Sequence, residues 1–278
     1  LNIVGLGQAG CRIAEAFGDY PQYNVFKIDN DIEGKNCYKI PKCETAEEYD
    51  QVKLPGASKF LKKIKGDTLF VIGGSGAISC ASLKILHYMK QNTIKIFYIK
   101  PDVEMLGETQ ALQERVVRGV LQEYTRSGVF EEMYIISNKN LNDIVGGAPI
   151  IGYYEKLNEL LVPTMHMINV FNNVEPVFGK QDKPKETHRI LTIGLYDIER
   201  DEEKMFFQLD NVRHRCYIYG INEDKLRNDG KLLNKITKQM KSKPSENLKI
   251  NYIVHSTDYE YDIGYVIERT PHIQIESR

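Results

Sequence analysis

At 278 residues, 42% apolar and 27% charged, the chain is long enough for one or two globular domains with a large core. Its formal net charge of −1 gives no basic footprint for nucleic acid or for a membrane surface, and no apolar run approaches the roughly 20 residues that span a bilayer. Five cysteines at scattered spacings (Cys11, Cys37, Cys43, Cys80, Cys216) and six unclustered histidines argue against a disulfide framework or a zinc site. They fit free thiols in a reducing, cytoplasmic setting.

Taken in chain order, Asn2–Val4 reads as a short buried strand, and Leu1 opens so directly on it that a few initiating residues are expected upstream. A glycine-rich turn, Gly5-Leu6-Gly7-Gln8-Ala9-Gly10, leads to a helix over Cys11–Phe17. Tyr23–Ile28 is a second strand ending at Asp29-Asn30-Asp31, and residues 32–60 read as a long polar loop with at most a short helix. Leu69–Ile72 is a strand that runs into a second glycine-rich turn, Gly73-Gly74-Ser75-Gly76-Ala77, with a helix expected over Ser79–Lys90. Thr93–Ile99 is a strand stopped by Pro101, and Glu108–Tyr124 has helical spacing through Leu112, Val116, Val117, Val120 and Leu121. Met133–Ile136 is a strand with Asn138 at its carboxyl end. This βαβ rhythm calls for a parallel sheet covered on both faces.

A helix then spans about 152–171, with an interruption or kink expected at Pro163. After a polar boundary at 180–185 the pattern changes to strand (Ile190–Tyr196), strand (Cys216–Tyr219), helix (Leu226–Met240), loop (Lys241–Asn247) and a closing hairpin of Lys249–His255 and Tyr261–Glu268. The expected class is therefore α/β. Residues 1–171 form a Rossmann-like domain ending in a central helix, and 172–278 form a smaller α+β domain.

The two glycine turns carry the chemistry. A turn of small residues between strand and helix lets backbone N–H groups converge on an oxyanion, and the helix N-terminus adds its positive dipole end. Two such turns suggest one anion gripped from two sides, as a di- or triphosphate would be. Gly5-x-Gly7-x-x-Gly10 is also the dinucleotide fingerprint, with Asp29 placed to hold a ribose hydroxyl, so an NAD(P)-dependent oxidoreductase is a rival reading. That fold needs no second glycine turn, and no later Cys, His or Lys stands out as a hydride-transfer acid or base.

The residues resemble the tubulin/FtsZ superfamily of GTP-binding cytoskeletal proteins. Gly7-Gln8-Ala9-Gly10-Cys11-Arg12-Ile13 is similar to the tubulin first loop, Gly-Gln-x-Gly-x-x-Ile, and Gly5–Gly10 to the start of the CetZ branch. Gly73-Gly74-Ser75-Gly76-Ala77-Ile78 resembles a degenerate Gly-Gly-Thr-Gly-Thr-Gly signature in which Ile78 replaces the last glycine. Lys100-Pro101, a long helix, and Ile135-Ile136-Ser137-Asn138 follow in the order found in FtsZ. The likeness runs through residues 2–171.

The resemblance implies that Gly7, Gln8, Ala9, Gly10 and Cys11 wrap the α- and β-phosphates of GTP or GDP, with Gln8 reaching phosphate or a magnesium-bound water. Gly73, Gly74, Ser75, Gly76 and Ala77 would serve the β- and γ-phosphates. Asp31, with Asp29 as the other candidate, would lie at the γ-phosphate-sensing loop, and Glu104 would approach the ribose. Asn138 and Asn158 would read guanine, and Tyr154 would stack on it. Plainer readings stand beside these: Asn138 as a helix cap, and Tyr154 with Asn158 as an ordinary i, i+4 pair.

The family hydrolyses its nucleotide when the next subunit inserts a loop carrying carboxylates, which implies a head-to-tail homopolymer. Here Asn172-Asn173-Val174-Glu175-Pro176-Val177-Phe178 resembles that loop, with Glu175 as the catalytic carboxylate. Phe178 stands where a second carboxylate is expected, the helix that should follow is shortened or absent, and Asp182 is the remaining substitute. Nucleotide binding is thus better supported than hydrolysis. A non-polymerising nucleotide-binding protein of the same fold is the second alternative.

Overall fold

The computed structural model describes residues 1–180, 183–244 and 246–275. Its strands are β1 (Asn2–Leu6), β2 (Asn24–Asp29), β3 (Cys37–Lys39), β4 (Thr68–Gly73), β5 (Ile94–Lys100), β6 (Glu132–Ser137), β7 (Ile190–Asp197), β8 (Glu202–Met205), β9 (His214–Asn222), β10 (Lys249–Thr257) and β11 (Ile263–Thr270). The helices are α1 (Gly7–Ala16), α2 (Ala46–Gln51), α3 (Ala57–Leu61), α4 (Ser82–His87), α5 (Glu108–Arg126), α6 (Asn138–Ile144), α7 (Tyr153–Asn172), α8 (Glu223–Asn228) and α9 (Leu232–Ser242). Among the described residues no helix is long and apolar enough to cross a membrane.

All the strands join one sheet in the order β10-β9-β11-β7-β6-β5-β4-β1-β2-β3, with β8 paired to β7. From β3 to β7 every pairing is parallel. The parallel half is covered on both faces, as its near-continuous apolar strands require. In β4, Phe70 and Ile72 point to a cluster that holds Tyr98, Val117 and Leu121, while Leu69 and Val71 point to one that holds Ile13, Leu161 and Ile168. Each fully buried side chain of this kind contributes about 1.5–3 kcal/mol relative to exposure. Helix α7 belongs to the second cluster. It packs at once against the parallel strands and against Ile193, Ile218, Ile253 and Ile267 of the other half.

Several expectations need correction. Residues 32–60 carry β3, α2 and α3. Helix α2 is started by a Thr45–Glu48 capping box, but elements of three to six residues are too short to show a period. The helix expected over Ser79–Lys90 is instead a 3₁₀ run, Ala77–Ala81, followed by the short α4. Helix α7 continues through Pro163, and the Thr164 hydroxyl donates to the Leu160 carbonyl beside it. The expected Leu226–Met240 helix is split between α8 and α9 around Gly230. The expected hairpin does not form between β10 and β11: β10 runs parallel to β9, and β11 inserts antiparallel between β9 and β7.

Candidate functional site

At the carboxyl ends of β1 and β4 both glycine turns face one cavity of about 190 Å³. Gly7, Gln8 and Ala9 line it from α1, and Gly73, Gly74, Ser75 and Gly76 from the second turn. Asn138 at the start of α6 and Tyr154 and Asn158 on α7 add to the wall. Residues from four separate stretches of sequence thus converge where open α/β sheets commonly hold ligands, beyond the carboxyl ends of the strands. The cavity is smaller than the roughly 300 Å³ at which small-molecule pockets begin, so a ligand of ordinary size would extend beyond it.

The first turn fits close backbone approach. Gly7 has φ +70°, a left-handed value that suits glycine, and it starts a helix of ten residues. Gly10 is different: it is buried, it does not line the cavity, and a β-carbon there would overlap the Val71 carbonyl oxygen. A β-carbon on Gly5 would likewise overlap the Gly10 carbonyl. These two glycines let α1 lie against β1 and β4, so their role is packing. Cys11 also turns inward. Its thiol donates to the carbonyls of Gly5 (3.4 Å) and Ile28 (3.5 Å), and burial pushes it up to about 12. Only its backbone is near the turn.

The second turn departs from the expected strand–turn–helix unit. It opens into a 3₁₀ run, so aligned helix dipoles add little, and its donors are loop amides. Ile78, in the place of the last signature glycine, lines the cavity. Its Cγ2 lies 2.8 Å from where a β-carbon on Gly7 would stand and 3.6 Å from the same point on Gly76. An aliphatic branch therefore stands between the two glycine turns. Ala77 lines a neighbouring groove with Leu83 and Val116 and does not face this cavity.

Asn138 is the first residue of α6, and Ser137 is the cap, its hydroxyl accepting from the Asn140 amide at 3.3 Å. The cap reading of Asn138 is thereby replaced. Tyr154 is half exposed and meets Tyr153 edge to face at 5.2 Å, leaving a broad aromatic surface on the cavity rim. Glu104 is not a wall residue: Lys139 binds its carboxylate at 2.5 Å and holds it below the usual carboxylate range. Asp31 is exposed beyond β2 and does not line the cavity either. Glu175 follows the far end of α7. At about 1.5 Å per residue, the 20 residues of that helix place it some 30 Å from Tyr154. Asp182 lies outside the described residues.

Sequence reasoning missed Arg12 and Ile78 as wall residues. Arg12 projects from the same exposed face of α1 as Gln8, four residues earlier, and lies 3.5 Å from Glu155 on α7. The i, i+4 spacing from Gln8 was the available signal. Among the described residues no three His, Cys, Asp or Glu side chains gather as metal ligands.

No family model matches the sequence, and no curated protein matches it. Solved structures do match its fold. FtsZ from M. jannaschii, as an empty dimer, superposes with a TM-score of 0.70 at 11% identity, covering 96% of this chain and 87% of that one. TubZ from Bacillus thuringiensis serovar israelensis, as a GTPγS-form protofilament, gives 0.69 at 15% identity, covering 96% and 86%. CetZ2 from Haloferax volcanii, as a GTPγS-bound protofilament, gives 0.69 at 11% identity, covering 96% and 92%. The chain has the tubulin/FtsZ fold.

Proposed function

We propose that the protein binds a guanine nucleotide between its two glycine turns and assembles head to tail, each subunit's post-α7 loop covering the nucleotide of the next. The observation that carries the reading is the convergence of Gly7–Ala9, Gly73–Gly76, Asn138, Tyr154 and Asn158 on one cavity. Backbone amides of the turns would take the phosphates, Tyr154 would stack on the base, and the two asparagine amides would pair with its edge. Gln8 and Ser75 offer neutral oxygens. Such a donor set suits a magnesium ion held chiefly by phosphate oxygens and water. Two of the similar structures are protofilaments carrying GTPγS, which supports the ligand class and the mode of assembly.

The assembly half of the reading rests on α7. With Glu175 and the cavity at opposite ends of a 20-residue helix, one chain cannot bring its own carboxylate to its own nucleotide. A head-to-tail contact joins two different surfaces and propagates rather than closing as a dimer. The loop itself is anchored: Val177 and Phe178 donate to the Val254 carbonyl, Val254 donates back to Phe178, and Phe178 stacks on Tyr252 at 6.0 Å. Between Asn172 and β7 no further helix occurs among the described residues. A lone carboxylate on a loop pinned this way is poorly placed to orient water, so turnover is slow. Light scattering and phosphate release followed together decide the matter. GTP-dependent scattering with slow release, and loss of residual release in Glu175→Gln without loss of scattering, is the expected result. A monomer at every concentration would reject assembly, and release untouched by Glu175→Gln would reject the carboxylate.

A further inference from the structure

Beneath the second glycine turn lies a buried polar chain that the nucleotide reading does not use. Gly74 is buried, its amide donates to the Ile99 carbonyl at 3.0 Å, and a β-carbon on it would overlap the Tyr98 hydroxyl and lie 3.0 Å from Cγ of Glu114. That hydroxyl donates to Oε1 of Glu114 at 3.0 Å. Burial, and then the Glu114 carboxylate, push the Tyr98 phenol well above its ordinary range, so it stays a donor. Glu114 is paired along α5 with Arg118, Nε to Oε1 at 2.7 Å, and both side chains are almost wholly buried.

Nη2 also donates to Oε2 of Glu114 at 3.4 Å, and the guanidinium reaches the segment after β11 as well. Arg118 donates through Nη1 to the Gln274 carbonyl at 2.5 Å and through Nη2 to the Ile275 carbonyl at 3.3 Å. One helical turn on, Gln122 accepts from the Gln274 amide at 2.7 Å and donates to its carbonyl at 3.1 Å. The Gln274 side chain, itself buried, accepts from the Asp210 amide at 2.7 Å and donates to the His272 carbonyl at 2.9 Å. A buried ion pair is seldom more stabilising than apolar side chains of the same volume. What this one supplies is position: hydrogen bonds tie Tyr98, which packs directly against Gly74, through Glu114 and Arg118 to Gln274, about 200 residues further along the chain.

We propose that Arg118 and Glu114 are positioning residues for the second glycine turn, and that residues 271–275 are a structural part of the phosphate site. With Gln274 and Ile275 docked, Arg118 holds Glu114, Glu114 holds Tyr98, and Tyr98 sets the height of Gly74. Removing the segment leaves Arg118 without two of its acceptors, so the Glu114 carboxylate and Tyr98 are free to shift and the turn loses its support. The phosphate part of this rests on the nucleotide reading, whereas the coupling itself does not.

The test is a chain ended at Thr270, which keeps β11 complete, together with Gln122→Leu in the full chain, which removes two anchors of Gln274 and leaves Arg118 in place. In the nucleotide-free proteins, amide hydrogen exchange is read over residues 73–77 and over residues 5–11. The expected result is exchange faster by about tenfold at 73–77, the scale of one buried hydrogen bond, with 5–11 unchanged and Gln122→Leu showing a smaller change of the same pattern. Unchanged exchange at both turns, or equal acceleration at both, would overturn the proposal. In the second arm, the shortened chain should lose more affinity for GTPγS than for GDP, because the second turn serves the γ-phosphate, which GDP lacks, as well as the β-phosphate. An equal loss for both would overturn the assignment to that end of the nucleotide. If the full chain binds neither, the nucleotide reading fails while the exchange arm still decides the coupling.

Discussion

Cγ2 of Ile78 lies 2.8 Å from the point where a β-carbon on Gly7 would stand, so an aliphatic branch stands between the two glycine turns on the wall of their shared cavity. A glycine there would leave that space to a ligand. The present residue narrows it.

Replacing Ile78 with Ala removes the branch and keeps the backbone of the 3₁₀ run. We expect nucleotide affinity to rise about tenfold, at a stability cost of about 1–2 kcal/mol because Ile78 is only partly buried. Calorimetric titration with GTP and GDP, beside a thermal melt, checks both halves. Weaker binding in Ile78→Ala would mean that the methyl packs on the ligand instead of excluding it.

Gly76 and Gly10 should separate phosphate approach from packing. Gly76 is exposed with φ −81°, so Gly76→Val fits the backbone, and it should lose nucleotide binding with the circular dichroism unchanged. Gly10→Val forces a side chain onto the Val71 carbonyl and should destabilise the fold by at least about 1–3 kcal/mol, the usual cost of overpacking. A Gly10→Val protein as stable as its parent would contradict the packing role.

Asn138 should read the base. An amide both accepts from the N1–H and N2–H₂ of guanine and donates to its acceptors, a pattern that adenine does not match. Asn138→Ala should forfeit about 1–3 kcal/mol of the preference for GTP over ATP, the cost of an unpaired buried edge. Equal affinity of the unaltered protein for the two nucleotides would end this reading.

Glu132 should dominate the acid limb of stability. Burial alone would raise its carboxyl, but Arg269 on β11 at 2.5 Å and Lys95 on β5 at 3.1 Å outweigh burial and hold it at about 2. Its folded value lies below the unfolded one. Its contribution, on the order of 3 kcal/mol, is therefore complete above about pH 4.5 and is lost as pH falls toward about 2. Urea midpoints across that window should fall in the parent. Glu132→Gln should start lower at pH 7 and fall less steeply.

The sequence was legible where residue type has one strong physical consequence. Strands such as Leu69–Ile72 announce themselves by an apolar run, and the glycine turns by spacing, so the parallel half and most of the cavity wall followed. It was silent where partners are far apart in the chain. Nothing local to Gly10 says that Val71 lies against it, and nothing near Glu104 says that Lys139 has already taken its carboxylate. The order of β9, β10 and β11 failed for the same reason: Lys249–Thr257 and Ile263–Thr270 are close enough in sequence to suggest a hairpin, yet β11 pairs with β7 and β9 instead.

That insertion has a consequence for biosynthesis. Strand β11 sits between β7 and β9 although both are made before it, so the sheet cannot close across that interior position until residues 263–270 arrive. Two strand edges, rich in Ile and Tyr, stay open during that interval and are ready to accept any extended segment nearby. A chain interrupted before Ile263 leaves that position unfilled permanently. Whatever folds or guards the nascent protein must protect an interior gap, not a frayed border, and the step that ends the hazard is the entry of one eight-residue strand.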